Sequence, residues 1–129
     1  MKPETVLVTG DRTWDAKHII MQVLQELKPS KVIQGGALGA DTLARMCAAV
    51  LKIPCKEYVA EWNVYGRAAG PKRNKQMLDD GKPDLVVAFH DNLEKSKGTK
   101  NMIMIANRHG VPVHLYNSKG EVYQFYQVL

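Results

Sequence analysis

A glycine-rich segment between a predicted strand and a predicted helix has the residue types of an anion site. It comprises Gly35, Gly36, Ala37, Gly39 and Asp41. Glycines at such a turn let backbone N–H groups approach a phosphate closely, and the start of the helix adds positive potential. The alternative is a tight strand-to-helix turn that Asp41 caps. The spacing differs from the dinucleotide-binding GxGxxG, and no GK[ST] follows as in a Walker loop.

The end of the first predicted strand offers a second anion contact. Gly10 closes the strand, and Arg12 follows two residues later. An arginine there could hold a phosphate or carboxylate through two hydrogen bonds. The alternative is a surface arginine that pairs with Asp11 or Asp15.

Basic and aromatic residues surround a third, glycine-framed turn. Arg73 opens the predicted helix there, where its charge opposes the helix dipole, and this unfavourable placement hints at function. The aromatic rings could stack on a base or form a satellite hydrophobic cluster. The residues that we expect to contact a ligand in this segment are Trp62, Tyr65, Arg67, Arg73 and Asn74.

A fourth loop ends in Gly98 and Thr99, which open another predicted helix among Lys95, Lys97 and Lys100. A Gly-Thr helix start is a common capping arrangement, so alone it is a weak signal. Together with the other three segments, it completes a ring of loops that could bind an anion.

Candidates for catalysis are few. Asp41 and Asp91 are the carboxylates that we expect near the ligand as general bases, and Arg73 is the third candidate catalytic residue. The four histidines are dispersed, and no metal-ligand set or Ser-His-Asp arrangement is visible. His90 follows a strand and could face the ligand, with a structural or solvent-facing role as the alternative.

The elements that must position these residues alternate between strand and helix. Predicted strands cover 5–9, 31–34, 55–60, 85–89 and 111–116, and predicted helices cover 16–27, 41–52, 71–78 and 99–108. This order predicts an α/β fold, a Rossmann-like, doubly wound, mainly parallel five-stranded sheet with helices on both faces. The aromatic tail 121–128 is a candidate C-terminal edge strand. Ligands of such sheets bind beyond the carboxyl ends of the strands, which selects the four loops above.

Length and composition limit the alternatives. With 129 residues, the chain is expected to form a single domain over 1–129. Its net charge of +5 favours anionic partners, although the lysines are scattered and could form an ordinary solvated surface. Cys47 and Cys55 are expected to be reduced. Since no signal peptide or long apolar run is visible, we expect a cytoplasmic protein without membrane contact.

Four motifs together resemble a known superfamily. They are Thr9-Gly10-x-Arg12, GGALGADTLA at 35–44, YGRAAGPKRNKQML at 65–78 and Gly98-Thr99. The chain is similar over residues 5–116 to the YspA/YpsA-related branch of the SLOG superfamily, which is frequent in bacteria and their phages. The resemblance implies a Rossmann-like sheet that binds nucleotides or nucleotide-derived ligands, with no further cofactor firmly implied.

The sequence departs from the motifs of one enzymatic branch of this superfamily. The related LOG enzymes cleave nucleoside monophosphates at the N-glycosidic bond with an Arg in RKxxM and a Glu in GGxGTxxE. Arg73 and Met77 match the first motif, with Asn74 in place of its Lys. In the second motif, Lys95 and Ser96 replace two glycines, and Met102 stands in place of the Glu.

Three hypotheses follow. The first is a nucleotide-binding sensor or sequestering module, and the second is an N-glycosidic hydrolase with a relocated acid. The third is single-stranded DNA binding, as in the related DprA-type proteins, which the absence of a continuous basic stripe ranks last. A homodimer through the tail residues Tyr123, Phe125 and Tyr126 is a further expectation, with a place in the core as its alternative.

Overall fold

The computed structural model describes residues 2–125. Its six strands are β1 (Thr5–Gly10), β2 (Lys31–Gln34), β3 (Cys55–Glu57), β4 (Leu85–Phe89), β5 (Val113–Tyr116) and β6 (Val122–Phe125). They form one sheet in the order β3-β2-β1-β4-β5-β6. Strands β1 to β5 are parallel, and β6 is antiparallel to β5.

Five helices connect the strands. They are α1 (Lys17–Leu27), α2 (Ala40–Val50), the short α3 (Trp62–Tyr65), α4 (Ala69–Gly81) and α5 (Gly98–Arg108), with 3₁₀ turns at Gly66–Ala68 and Leu93–Lys95. In the part of the chain that the structure describes, no helix is long and apolar enough to cross a membrane. The alternating order of strands and helices confirms the predicted α/β class.

Helices cover both faces of the sheet because successive strand residues point to opposite sides. Val6 and Val8 face the core that α1 and α2 form, whereas Leu7 between them faces the core that α4 and α5 form. Strand β4 lies between two other strands and under both helix layers, and all of its residues are buried. This burial explains its uninterrupted apolar sequence.

The predicted number of five strands is wrong, because β6 belongs to the sheet. Asn117 and Gly120 form the turn that reverses the chain after β5, and Gly120 has a φ of +82°, which favours glycine. The antiparallel direction of β6 follows from this short connection. The predicted edge strand extended to residue 128, and Tyr126 and the residues after it lie outside the described part of the chain.

Strand β3 and the segment after it also differ from the prediction. The strand ends at Glu57 instead of Ala60, because its partner β2 ends at Gln34, and the carbonyl of Gln34 accepts the amide of Tyr58. The following segment, predicted as a loop, contains α3, and α4 begins at Ala69 instead of Pro71. None of the residues of α3 is buried, so this short helix lies on the surface.

The order of the strands places one crevice at the carboxyl edge of the sheet. The chain moves from β1 outward through β2 to β3, then returns to place β4 on the other side of β1. Connections that leave β1 and β4 therefore diverge to opposite faces, which opens a crevice above these two strands. Gly10 lies opposite Phe89 in this pair, at the floor of the crevice.

We expect Gly10→Ala to destabilise the fold, whereas Gly98→Ala leaves it almost unchanged. A Cβ at Gly10 would lie 2.5 Å from the Phe89 carbonyl oxygen and 2.7 Å from the Ala40 Cβ, but one at Gly98 would meet no atom within 4 Å. Overpacking of this kind costs about 1–3 kcal/mol, against about 0.5 kcal/mol or less at a free surface position. Urea unfolding of both variants measures the difference, and equal midpoints would contradict this account.

Candidate functional site

A cleft of about 690 Å³ lies at the carboxyl edge of the sheet, above β1 and β4. All four predicted loops contribute to its wall. Its volume lies within the usual range for small-molecule sites. The predicted residues that line it are Gly10, Arg12, Ala37, Asp41, Trp62, Arg67, Arg73, Asn74, Gly98 and Thr99.

Cationic side chains dominate the charge of this cleft. Five of the described lining residues are basic, and they are Arg12, Arg67, Arg73, Lys95 and Lys97. Two are acidic, Asp11 and Asp41. Helix α5 begins at Gly98 in the same wall, so the positive end of its dipole adds to the potential. The cleft therefore attracts anions.

The side chain of Arg73 is half-buried between α4 and the glycine-rich loop. Its Nη1 donates a hydrogen bond to the Gly35 carbonyl oxygen, and its Nε donates to Asn74 Oδ1 at 3.0 Å. Burial lowers the pKa of Arg73, and the negative charge of Asp41 opposes this effect. A Cβ at Gly35 would lie 2.5 Å from Nη1 of Arg73, so a larger residue there would force the guanidinium to shift from this position.

The neighbouring side chain, Asn74, connects α4 to the start of α5. It is buried, and its Nδ2 donates to Asn101 Oδ1 at 3.1 Å and to the Gly98 carbonyl oxygen at 3.4 Å. Arg73 and Asn74 thus join the glycine-rich loop on one side to the Gly98 helix start on the other. Both were predicted as ligand contacts, and each also positions a wall of the cleft.

Three amides of the glycine-rich loop, those of Gly35, Gly36 and Ala37, have side-chain partners within the chain. Asp41 Oδ2 accepts hydrogen bonds from Gly35 N at 3.1 Å and from Ala37 N at 3.2 Å. Gln34 Oε1 accepts one from Gly36 N at 2.6 Å. A phosphate would have to displace these side chains to reach the same amides. The alternative of a turn held by Asp41 therefore describes the local bonding, although Asp41 bonds the loop and not the first turn of its helix.

The remaining glycines of this region also have packing roles. Gly39 has a φ of +74°, and a Cβ there would lie 2.2 Å from the Asp11 carbonyl oxygen. Gly35 and Gly36 line a smaller pocket of about 140 Å³ beside the main cleft, together with Glu57. The main cleft and this pocket share Arg12, Ala37, Trp62 and Arg73 among their lining residues.

The carboxyl group of Asp41 is almost fully buried, and this burial raises its pKa from 3.8 to about 6. The hydrogen bond from Ala37 N and the charge of Arg73 act in the opposite direction and keep the shift from being larger. Both hydrogen bonds of Asp41 Oδ2 come from amides of the loop, so this side chain stabilises the conformation of the loop.

The two aromatic residues of the third loop face different surroundings. Trp62 lines the cleft and is 49% exposed, so about half of its side chain is accessible. Tyr65 does not line the cleft, and Lys72 Nζ lies 4.8 Å from the centre of its ring. The structure therefore brings Trp62, but not Tyr65, to the predicted site.

At the fourth loop, the start of α5 is fixed by a short local contact. Ser96 Oγ accepts a hydrogen bond from Thr99 N at 3.0 Å, and the buried Thr99 lines the cleft beside the exposed Gly98. Lys95 and Ser96, which replace the two glycines of the related motif, both line the cleft, and so does Lys97.

Sequence reasoning missed one carboxylate and misplaced another. Asp11 lines the cleft, and so does His90, whose Nε2 lies 3.8 Å from Asp11 Oδ2. Asp91 does not line it, because its Oδ1 accepts the amide of Ser118 in the β5–β6 turn at 2.7 Å. Of the two carboxylates expected near the ligand, Asp41 lines the cleft and Asp91 does not. The signal that could have identified Asp11 is its position directly after a central strand, which it shares with His90, the histidine that the sequence analysis considered as facing the ligand.

Comparisons with known proteins concern the family and the fold of this chain. The YspA, cpYpsA-related SLOG family matches residues 4–65. The Gene 61 protein of Mycobacterium phage D29 is 32% identical over 124 residues, in a match that covers 88% of this chain and 97% of that protein. A crystal structure of UDP-GlcNAc 2-epimerase from Neisseria meningitidis bound to UDP-GlcNAc aligns over 87% of this chain with a TM-score of 0.53 and 17% identity. This chain spans only 31% of the epimerase chain, and the likeness concerns the fold alone.

We expect the buried Asp41 to make stability fall as the pH rises from 4 to 7. Its folded pKa of about 6 lies above the usual 3.8, so the folded state binds the proton more tightly than the unfolded state. The contribution is complete below about pH 4 and is lost as the pH rises through 6, with a magnitude of about 3 kcal/mol.

The matched variant is Asp41→Asn, which keeps an oxygen for Gly35 N and Ala37 N but does not titrate. Unfolding of both proteins in urea at several pH values gives the difference in their free energies of unfolding. The free energy of unfolding of the wild type minus that of Asp41→Asn should fall between pH 4 and 7. A difference that is independent of pH would contradict the assignment.

Proposed function

We propose that this chain, which belongs to the YspA, cpYpsA-related SLOG family, binds a nucleotide or nucleotide-derived phosphate ligand as a sensor or sequestering module. The observation that carries the proposal is the cleft of about 690 Å³ with five basic side chains at the carboxyl edge of a Rossmann-like sheet. Its position is the one that ligands of open α/β sheets occupy.

The start of α5 is the best receptor for the phosphate. The amides at Gly35, Gly36 and Ala37 are engaged by side chains of the chain itself. At the start of α5, Thr99 N donates to Ser96 Oγ, but Gly98 is exposed at the helix N-terminus and has Lys95 and Lys97 beside it. A helix start with adjacent lysines stabilises a phosphate through its dipole and through charge-assisted hydrogen bonds.

Trp62 is the best contact for a base. Its ring is half-exposed on the wall of the cleft, and indole rings stack on nucleobases. The chain has two tryptophans, and the other, Trp14, is buried against Phe89 with ring centres 5.6 Å apart. A change in fluorescence on binding would therefore originate mainly at Trp62.

Met102 supports binding over the hydrolysis that LOG enzymes perform. It stands where the resemblance places their Glu, and its side chain is fully buried in the apolar core with Leu7 and Val86. Position 102 therefore supplies no carboxylate to the cleft. The epimerase of similar fold was solved with UDP-GlcNAc, which makes nucleotide sugars one class to include in a ligand panel.

We expect Lys97→Ala to weaken phosphate-ligand binding about 5- to 30-fold, because one charge-assisted hydrogen bond is lost. Tryptophan fluorescence and calorimetry with nucleoside mono- and diphosphates, cyclic nucleotides, ADP-ribose and UDP-sugars measure the affinity. Arg73→Ala is unsuitable as the principal variant, because loss of its bonds to Gly35 and Asn74 would also disturb the fold.

Lys119→Ala is the matched control, since it removes the same charge from the β5–β6 turn, away from the cleft. The affinity of Lys119→Ala for the phosphate ligand should equal that of the wild type. Trp62→Phe should still bind the ligand but lose the fluorescence signal. Failure of the whole panel to bind would refute the proposal. Tighter binding of single-stranded DNA at about 0.2 M salt would instead favour the nucleic-acid hypothesis.

N-glycosidic hydrolysis is a second candidate, favoured by one observation. Asp11 places in the cleft a carboxylate that could stabilise an oxocarbenium-like sugar in place of the missing Glu. For this candidate, wild-type protein should release free base from nucleoside monophosphates, and Asp11→Asn should slow the release about 100-fold or more. Asp91→Asn is the control and should keep the wild-type rate. Chromatography that detects no free base from the wild type would exclude the reaction.

A further inference from the structure

An acidic side chain in a cleft built for anions requires an explanation. Asp11 lines the cleft among five basic residues, and its side chain is 32% exposed. A hydrogen bond from Thr13 N is the largest influence that lowers its pKa, so the carboxylate is charged at neutral pH. A negative charge there repels a phosphate, and it must therefore serve a different part of any ligand that the cleft holds.

Only one of the two carboxylate oxygens of Asp11 is engaged by its own loop. Thr13 N and Thr13 Oγ both donate to Oδ1, each at 3.0 Å. The other oxygen, Oδ2, lies 3.8 Å from His90 Nε2, which is too long for a direct hydrogen bond. Oδ2 is thus an acceptor turned toward His90 at the floor of the cleft.

The contacts of His90 determine what it can offer. Asn92 N donates to His90 Nδ1 at 2.9 Å, and an amide can only donate, so Nδ1 is the acceptor. In the neutral ring, the proton therefore lies on Nε2. The ring is 9% exposed and lines the cleft, so its Nε2–H is a donor held in a fixed direction beside Asp11 Oδ2.

A donor and an acceptor 3.8 Å apart leave room for one oxygen that bonds to both. An oxygen about 2.8 Å from each atom would complete a triangle of ordinary hydrogen bonds. Such an oxygen must accept from His90 and donate to Asp11. A hydroxyl group does both, whereas a phosphate oxygen or a carbonyl cannot donate.

We propose that Asp11 and His90 bind a sugar hydroxyl of the ligand, and that the cleft thereby selects ribonucleotides over their deoxy forms. The inference rests on the proposed function, because it assigns a second part of the same ligand. The pair follows from the topology: Gly10 and Phe89 face each other across β1 and β4, and the next residue of each strand enters the cleft. The phosphate lies at the α5 start, and its sugar lies above the two central strands.

The test measures affinity for the 5′-monophosphates of adenosine, guanosine, cytidine and uridine, and for their 2′-deoxy and 3′-deoxy forms. Ribose 5-phosphate and 2-deoxyribose 5-phosphate provide the comparison without a base. For at least one base, the wild type should prefer the ribose form about tenfold over one of its deoxy forms, as the loss of a paired hydroxyl predicts.

Two variants remove one partner each. Asp11→Asn keeps an oxygen for Thr13 but presents an amide donor to His90, and His90→Asn keeps an acceptor for Asn92 N but has no Nε2. Each should reduce the preference to about twofold or less without weakening the deoxy form, which Asp11→Asn should bind somewhat more tightly because a negative charge is removed. Asp15→Asn, an exposed carboxylate outside the cleft, is the control and should retain the preference.

The outcomes separate the two proposals. Equal binding of ribose and deoxy forms by the wild type overturns the hydroxyl site and leaves phosphate binding intact. Variants that weaken both forms alike also overturn it, because they indicate a role in folding only. No binding of any of these phosphates, at concentrations where the wild type is folded, overturns both the hydroxyl site and the phosphate site at α5.

Discussion

The burial of one guanidinium organises the whole site. Arg73 keeps its charge at any accessible pH, so its burial requires acceptors in fixed places. Gly35 supplies a carbonyl and leaves room for the group, Asn74 supplies a second oxygen, and the nearby Asp41 supplies negative charge. Asp41 in turn holds the amides of Gly35 and Ala37. The loop, the second helix and the fourth helix are therefore positioned by one connected set of polar contacts.

This set changes the meaning of the glycine-rich segment. Its glycines are needed because a guanidinium, a side chain and a neighbouring loop approach the backbone at Gly35, Gly36 and Gly39. Backbone amides that bind a buried carboxylate are not free for a phosphate, and for this reason the proposed phosphate site lies at the start of α5, beside its lysines. A glycine-rich turn before a helix can either bind a phosphate or hold side chains of its own chain. Only the hydrogen-bond partners of its amides distinguish these two roles.

The cleft presents three chemically different surfaces to a ligand. Basic side chains and a helix start form the wall that we propose for a phosphate, while Asp11 and the Nε2 donor of His90 form the floor. Trp62 supplies an open aromatic face at one side. An anion, a hydroxyl and an aromatic ring within one ligand match these three surfaces, and this combination is characteristic of nucleotides.

The sequence by itself determined the fold class, the approximate bounds of most elements and the four loops that line the cleft. Hydrophobic periodicity and turn residues are local signals, and each is read within about ten residues. It also identified Arg12, Trp62, Arg67 and Arg73 as lining residues, because arginine and tryptophan beside glycine turns are unusual enough to notice. The tail was predicted as a possible edge strand in addition to the five-stranded sheet, and β6 is the edge strand beside β5.

Only the tertiary structure decided which polar groups are still available and which residues meet. Asp11 and His90 are separated by 79 positions, and they become neighbours because β4 pairs with β1. Asp41 and Asp91 look alike as acids after strands, yet one is buried under a loop and the other binds the β5–β6 turn. Hydrogen-bond partners depend on strand order and on close packing across distant segments, and no local pattern in the chain encodes either one.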